Sequence, residues 1–310
     1  MRQSVIVCSL ALLCISCNRD EPALTRALFV GISPAAVTKS ATDDDSKVSS
    51  LDLFVFRCAD GRLEAMAHGN GLSPLEVTVT RNRAVRWYMI ANAPAGRLHE
   101  CVSEGEFLES VILLEDGFVM HCSGETVIKG VSTRIIASLT RYICKVGIGS
   151  ISVQLPDGAP YTVKEIVLMS AGGSTPVSGI PSGTDIRYNC GAYDTDLDGL
   201  IAVSPGIESA SPVNVGVTLW CMPNPSEGNS YGLPWQPRRT RIALCINAWG
   251  QDNWYPIDLP PMEENRYYLV DSIIIKGPGA PAPDVKPERI QTAFTVRVMD
   301  WEEDNTPAHF

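Results

Sequence analysis

The chain has 310 residues, of which 45% are hydrophobic and 19% charged, and its formal net charge is −10 with a pI near 4.9. This length accommodates two domains of roughly 100–200 residues, and the composition excludes a largely disordered chain. An acidic chain repels phosphate backbones, and the sequence has no stripe of Lys and Arg interleaved with aromatic residues. Nucleic acid is therefore excluded as a partner.

The N-terminus has the pattern of an export signal. Arg2 precedes the apolar run Val5–Ile15, which is too short for a permanent membrane-spanning helix. The run closes at Ser16-Cys17 before polar residues, a pattern that resembles a bacterial lipobox. We expect residues 1–16 to be a signal peptide, Cys17 to carry palmitate, and residues 17–26 to form a lipidated linker. Cys14 stands where Leu is usual, so an ordinary cleaved signal is the alternative.

Seven cysteines follow Cys17, at positions 58, 101, 122, 144, 190, 221 and 245. They are scattered singly, without a CxxC pair or a Cys/His cluster at zinc spacing. An odd number leaves at least one thiol unpaired, and several lie in apolar runs where a buried free thiol acts as a small hydrophobic side chain. No specific disulfide is predicted.

Strand patterns dominate the rest of the chain. Short β-rich runs, many of them alternating, are separated by Gly, Pro, Asn and Asp, as in β-sandwiches. The predicted strands are Ala27–Ile32, Leu51–Arg57, Leu75–Thr80, Val85–Ala91, Thr126–Lys129, Arg134–Ser138, Tyr142–Val153, Val163–Met169, Val213–Cys221, Thr240–Asn247, Tyr267–Ile275 and Thr292–Met299. The best predicted helix is Glu104–Leu114, whose apolar residues follow helical spacing, and a loop crossing between strands is the alternative.

Weak internal sequence similarity suggests two similar halves. Lys47–Phe56 and Thr162–Met169 each follow a strand and a polar loop, and each runs into a stretch containing Gly and Pro. We therefore predict two tandem β-sandwiches, at residues 27–131 and 132–310.

Eight segments with a characteristic order and spacing extend over residues 27–301. They are Ser49–Gly61, Trp87–Pro94, Gly117–Gly124, Leu139–Val146, Leu219–Pro225, Glu264–Val270, Gly277–Pro287 and Val296–Trp301. Together they resemble the fimbrillin and minor-fimbrium subunits of Bacteroidales, which build donor-strand (type V) pili. The resemblance implies Greek-key, transthyretin-like sandwiches and a structural, non-enzymatic subunit of a cell-surface fimbrium or pilus. It also implies an outer-membrane location, other fimbrial subunits as partners, a role in adhesion, and a host or bacterial surface receptor.

The C-terminus fits the requirements for a donor strand. Phe294, Val296 and Val298 alternate with polar residues and share one face of the predicted last strand. The preceding loop Gly277–Pro287 is rich in Pro and Gly and could let the strand swing out. An ordinary last strand packed on its own domain has the same alternation and is the alternative.

The resemblance also implies a trypsin-like cut after a basic residue that removes the first strand. Arg26 is one candidate, although a cut there would release the lipid without removing a strand. Lys39 follows the first predicted strand, so a cut there would remove it. An anchor subunit that stays lipidated needs no cut, and all three possibilities remain open.

Enzyme motifs are absent from the sequence. There is no G-x-S-x-G elbow, H-E-x-x-H pair, P-loop or G-x-G-x-x-G, and the four histidines (68, 99, 121 and 309) are isolated from one another. His121 and Cys122 are adjacent in a predicted strand, where they would point to opposite faces. The sequence predicts no catalytic site.

Two further patterns bear on ligands. Asp194, Asp196 and Asp198 match the start of a calcium loop, but Pro205 stands where a bidentate Glu is needed. We expect a solvated acidic turn here, and no cofactor. Trp249, Trp254 and Tyr255 could bind a glycan, although packing beneath a hairpin is the favoured interpretation. The alternative function is accordingly that of a monomeric surface lipoprotein that binds glycan or protein ligands.

Overall fold

The computed structural model describes residues 24–31, 47–94, 96–129, 132–155, 159–180, 186–190, 200–231, 237–289 and 291–301. The regular secondary structure of the described residues is almost entirely β-strand, so the all-β prediction is confirmed. Strands β1 to β21 are, in chain order, Leu24–Gly31, Ser50–Arg57, Leu63–Asn70, Leu75–Thr80, Ala84–Ala91, Val111–Leu113, Met120–Val127, Ser132–Ala137, Thr140–Arg141, Cys144–Val153, Tyr161–Met169, Ala171–Gly172, Ser174–Pro176, Arg187–Tyr188, Ala202–Val203, Ile207–Ser209, Val213–Cys221, Arg241–Ala248, Gln251–Asp258, Arg266–Ile275 and Thr292–Asp300. The helix α1 spans Glu104–Glu109, and a short 3₁₀ turn spans Leu114–Asp116.

Two sheets pack together in the N-terminal half. One has the strand order β3-β2-β5-β7-β9 and the other the order β4-β1-β8. The side chains between them form a buried apolar cluster that includes Leu53 of β2, Val79 of β4 and Met89 of β5. Burial of apolar surface from both sheets, at about 25 cal/mol per Å², is the main force that holds the pair together.

Strand β2 is buried on both faces, which explains its apolar run Leu53–Phe56. Leu51, Leu53 and Val55 face the cluster between the two N-terminal sheets. Phe54 and Phe56 point the other way, into a second and larger core. Because side chains alternate along a strand, a strand with a core on each side needs apolar residues at nearly every position.

A second pair of sheets forms the C-terminal half. The orders are β17-β10-β20-β21 and β15-β11-β18-β19, with β16 also pairing to β11. Val146, Ile166, Leu244 and Val270, one from each of four central strands, belong to the core between them. The Greek-key, transthyretin-like connectivity stays a prediction, as does the domain boundary at 131/132. Just past that boundary, β8 pairs in parallel with β1.

Helix α1 covers the second face of β2 and is shorter than predicted. The Ser103 hydroxyl accepts from the Glu106 amide at 3.3 Å, and the Glu106 carboxylate accepts from the Ser103 amide at 3.2 Å, forming a capping box. The predicted helix Glu104–Leu114 is wrong in its second half. Residues 111–113 instead form β6, which pairs with β13 and links the two halves of the chain.

The described helices were compared with the length and apolar character of a membrane-spanning helix. Among the residues that the structure describes, no helix has the length and apolar character needed to cross a membrane.

Candidate functional site

Strand β1 occupies the centre of its sheet. It pairs antiparallel with β4 and parallel with β8, so that Arg26 lies opposite Thr78 on one side and Ser132 on the other. Within the described strands, β4 and β8 have ladder partners only in β1. Loss of β1 would therefore leave a gap one strand wide, with two unpaired backbone edges and the apolar cluster beneath it.

The predicted processing residues fall in different places. Arg26 is the third residue of β1, so the predicted linker 17–26 overlaps the start of this strand. Cys17 and Lys39 lie outside the described residues. A protease binds its substrate as an unpaired extended segment, and the bond after Arg26 belongs to a strand that is paired on both sides.

The C-terminal strand β21 lies at the edge of its sheet, paired antiparallel with β20. Phe294 is opposite Ile273, Val296 opposite Val270, and Val298 opposite Tyr268, and these three β20 residues are buried. The predicted donor face therefore points toward the core side of the sheet. It is poorly covered, however, because Phe294 is 37% exposed and Val298 is 50% exposed.

The contacts of β21 are mostly backbone hydrogen bonds and surface ion pairs. Arg297 lies 3.1 Å from Asp271, and Arg266 pairs with Asp300, but all four side chains are well exposed. Such exposed pairs contribute about 0–1 kcal/mol. Trp301, which follows the strand, is instead 5% exposed and buried in the larger core. Its indole anchors the described end of the chain to the larger core.

Trp301 lies among cationic groups. The Arg141 guanidinium is 4.8 Å from the centre of its ring, and the Lys145 ammonium is 5.7 Å away. Cation–π contacts of this kind contribute about 0.5–2 kcal/mol each, more when the groups are desolvated.

The loop before β21 is held in place over its first half. The Tyr255 hydroxyl donates to Gly277 O at 2.9 Å, and the backbones of Trp254 and Ala280 exchange two hydrogen bonds. The buried Arg241 donates to Pro283 O at 2.8 Å. The loop Gly277–Pro287 is thus not free along its whole length.

Arg241, which holds this loop, is itself buried. Its guanidinium stacks on the Tyr231 ring at 4.0 Å, and burial lowers its pKa from the ordinary value. Gly279 has no room for a side chain, because a Cβ there would lie 2.5 Å from the Trp254 carbonyl oxygen. At the other end of the loop, Gln291 O accepts from Lys276 N at 2.8 Å, so the backbone before β21 is held on both sides of residues 284–289.

The three aromatic residues considered for glycan binding do not form one platform. Tyr255 is buried in the larger core, whereas Trp254, its neighbour on β19, packs on the opposite face against residues such as Val167. Trp249 lies in the preceding turn with φ of 52° and packs partly against the larger core. This agrees with the expectation that the rings pack beneath a hairpin.

His121 and Cys122 do not form a nucleophile–base pair. The His121 ring stacks on Tyr142 with centroids 4.0 Å apart and lies 3.2 Å from Glu264. Cys122 faces the N-terminal cluster instead, and burial raises its pKa to about 12. A thiol with this pKa is not a nucleophile at neutral pH.

The seven described cysteines are free thiols, with Cys144, Cys221 and Cys245 buried. The acidic motif of Asp194, Asp196 and Asp198 lies outside the described residues. The solvated acidic turn expected there stays a prediction, and a calcium-dependent melting shift that is lost in Asp196→Ala would contradict it.

Two histidines treated as isolated in the sequence come together in the fold. His68 Nδ1 lies 2.7 Å and His99 Nε2 lies 2.9 Å from the same oxygen, Oδ1 of Asp52. The expectation that the four histidines are isolated is therefore wrong for this pair. Only the β2–β3 register, which puts Asp52 opposite His68, could have indicated the contact, because residue 99 comes from a separate turn.

Comparisons with known proteins give similarity at the level of structure. No family model matches the chain, and no curated protein matches it. A candidate cell adhesion protein from Bacteroides eggerthii DSM 20697 superposes with a TM-score of 0.64 at 17% identity, covering 89% of this chain and 96% of that one. The fimbrilin FimA from Porphyromonas gingivalis W83 gives 0.60 at 14% identity, covering 89% and 97%.

A third structure has a similar extent. The tip fimbrial protein Mfa3 from Porphyromonas gingivalis, with a C-terminal truncation, gives a TM-score of 0.52 at 12% identity, covering 88% of this chain and 99% of that one. The chain thus has the all-β fold of the Bacteroidales fimbrilins and cell adhesion proteins over nearly its whole length.

Proposed function

We propose that this chain is a structural subunit of a cell-surface fimbrium, assembled with other fimbrial subunits by β-strand donation and supporting adhesion. The observation that carries the proposal is the position of β1 between β4 and β8, neither of which pairs with another described strand. A fold shared with fimbrilins supports the same conclusion by analogy.

The acceptor in this mechanism is the gap that β1 fills. Removal of β1 opens two backbone edges above the side chains of Val77 and Val79, which face the N-terminal cluster. A donated strand restores both hydrogen-bond ladders, and its alternate side chains fill the apolar groove, which supplies specificity. The donor must run in the direction of β1, antiparallel to β4.

The donor is β21, whose apolar face is only partly covered in its own sheet. Full burial of Phe294, Val296 and Val298 would contribute about 1.5–3 kcal/mol for each side chain. The strand would leave β20 by rotation within residues 284–289 after the Lys276 N–Gln291 O hydrogen bond breaks, since the first half of the preceding loop is held by Arg241 and β19. The alternative is that β21 stays in place as an ordinary last strand.

Processing at Lys39 fits this mechanism better than processing at Arg26. A cut after Lys39 would release all of β1, whereas a cut after Arg26 would leave residues 27–31 in the gap. In a Lys39→Gln variant we expect the full-length chain to accumulate, and in Arg26→Gln we expect processing to continue. Mass spectrometry of the mature N-terminus decides between the two sites and an unprocessed anchor subunit.

Retention at the outer membrane would come from a lipid on Cys17. Labelling of cells with an alkyne analogue of palmitate should mark the wild-type chain and the Cys14→Ser control. Cys17→Ser should lose both the label and the membrane fraction. A labelled Cys17→Ser chain would contradict lipidation at this residue.

Strand donation is tested with substitutions on the two faces of β21. Surface material from the producing cells is run unheated and boiled on an SDS gel and detected with antibody to this chain. We expect a ladder that collapses to one band on boiling, and its loss in Phe294→Asp and Val298→Asp. Thr295→Asp, on the other face, is the matched control and should keep the ladder.

The opposite result would separate the competing functions. A single full-length band without a ladder contradicts the stalk-subunit role. It would leave either an anchor or the alternative function, a monomeric surface lipoprotein that binds glycan or protein ligands.

A further inference from the structure

The cluster of Asp52, His68 and His99 lies on the N-terminal sheet, apart from both terminal strands. Asp52 and His68 are cross-strand partners on β2 and β3, so their side chains project from the same face. His99 reaches the same carboxylate oxygen from the turn that follows β5. The three ligand-type atoms all lie within 4.8 Å of one another.

Asp52 is enclosed but lacks a permanent counter-charge. Its side chain is 5% exposed, and within the described part of the chain its ion-pair partners are His68 and His99, not Lys or Arg. An imidazole is cationic only when it is protonated. Because a buried carboxylate is costly unless it is paired, the site favours an additional cation.

The donor set selects the kind of cation. Two imidazole nitrogens and one carboxylate oxygen suit divalent transition metals such as Zn²⁺, whereas Ca²⁺ and Mg²⁺ prefer oxygen ligands. Tetrahedral Zn²⁺ with bonds near 2.0–2.1 Å holds its ligand atoms roughly 3.3 Å apart. The observed separations of 2.7 and 2.9 Å are a few tenths of an ångström shorter. Small rotations of the rings would supply the difference.

The surroundings allow such a rearrangement. His68 is on an outer strand with its side chain 54% exposed, so its ring can turn without disturbing a core. His99 is 34% exposed and lies against Phe54, with ring centroids 5.8 Å apart. Asp52 is fixed, since β2 is paired on both sides.

We propose that Asp52, His68 and His99 form a binding site for a divalent transition-metal ion of the Zn²⁺ type. His68 Nδ1, His99 Nε2 and an Asp52 oxygen are the three protein ligands. The fourth position faces solvent and is filled by water or by an oxygen or nitrogen donor from outside the chain. The ion joins the turn around residue 99 to the β2–β3 pair and thereby stabilises the N-terminal sheets.

The test uses the full chain without a histidine tag, treated with chelator and then titrated with ZnCl₂ by calorimetry. We expect saturable binding of one ion per chain and a rise in the melting temperature, since an ion that binds only the folded chain stabilises it. His68→Gln and His99→Gln should each weaken binding by at least about tenfold. His121→Gln, a histidine outside the cluster, is the matched control and should bind as the wild type does.

Cobalt provides a readout that does not depend on stability. Co²⁺ added to the wild type should give the visible absorption of a tetrahedral site, and this band should be absent in His68→Gln. Circular dichroism of each apo variant checks that it has folded. No stoichiometric binding to the wild type, or wild-type affinity in a folded His68→Gln chain, would overturn the proposal.

Discussion

Phe107 is the residue on which the second face of β2 depends most. It is fully buried, and its ring centroid lies 4.7 Å from that of Phe54 and 5.3 Å from that of Phe56. Phe107→Ala should lower the free energy of unfolding by about 3–5 kcal/mol, because it leaves a cavity between rings that cannot collapse. Denaturant unfolding measures this loss. Val102→Ala, at an exposed side chain in the same segment, should change it little, and equal losses in the two variants would contradict the assignment.

Tyr142 makes stability sensitive to alkaline pH. Burial, together with the nearby Glu264, raises the pKa of its phenol, which donates to Val177 O at 2.7 Å. The unfolded phenol ionises near pH 10, whereas the folded one retains its proton, so the folded state binds more protons above that pH. The stabilisation is therefore complete below about pH 10 and declines as the pH rises further.

The measurement for Tyr142 is the free energy of unfolding between about pH 8 and 11. It should fall with pH in the wild type, and the slope in Tyr142→Phe should be shallower by up to about 1.4 kcal/mol per pH unit. Loss of the hydroxyl lowers stability at neutral pH, but only the slope reports on ionisation. Equal slopes for the two chains would contradict this account.

At the scale of elements, Trp301 controls how readily β21 separates from β20. Among the described strands, β21 pairs with β20 alone, and its apolar face is poorly covered, so the buried indole of Trp301 is an important side-chain contact with the core. Trp301→Ala should speed amide exchange of residues 292–300 by tenfold or more if about 1.4 kcal/mol of anchoring is lost. Hydrogen–deuterium exchange with mass spectrometry measures it. Arg297→Ala removes only an exposed ion pair and should leave the rate nearly unchanged.

Some strands could be predicted from sequence patterns alone, whereas others depend on pairing with distant strands. Strand β2 was predictable because its apolar run has one core on each side. Strand β3 was missed because its Ala and Gly residues have weak strand propensity. It is a strand because its backbone pairs with β2. The second half of the predicted helix at 104–114 became β6, since its β-branched residues pair with β13. Helical spacing alone could not reveal that partner.

The candidate sites were predictable to different degrees. The apolar face of β21 follows from alternation, so Phe294, Val296 and Val298 could be grouped from the sequence. The sequence could not show whether the preceding loop is free, because Arg241 and Trp254 contact it from distant strands. The histidine cluster was equally hidden, since His99 is 47 residues from Asp52 and only the fold brings them together.

At the scale of the whole molecule, the two halves share a core. The larger cluster contains Phe107 and Ile112 from the N-terminal half together with residues such as Leu244 from the C-terminal half. Backbone hydrogen bonds cross between the halves as well, including Leu114 N to Gly173 O at 2.8 Å. Separating the halves would expose buried apolar surface and unpair the β6–β13 ladder. Neither half can therefore unfold without removing part of the core of the other.

This coupling predicts one cooperative unfolding transition. Calorimetry should give a single peak with a van't Hoff enthalpy close to the calorimetric enthalpy. Ile112→Ala, at a fully buried residue of β6, should move the whole peak to lower temperature, because it lowers the free energy of unfolding by about 2–5 kcal/mol. Val111→Ala, one residue away and 44% exposed, should move it little. Two peaks, of which Ile112→Ala shifts only one, would mean that the halves unfold independently and that the shared core does not couple them.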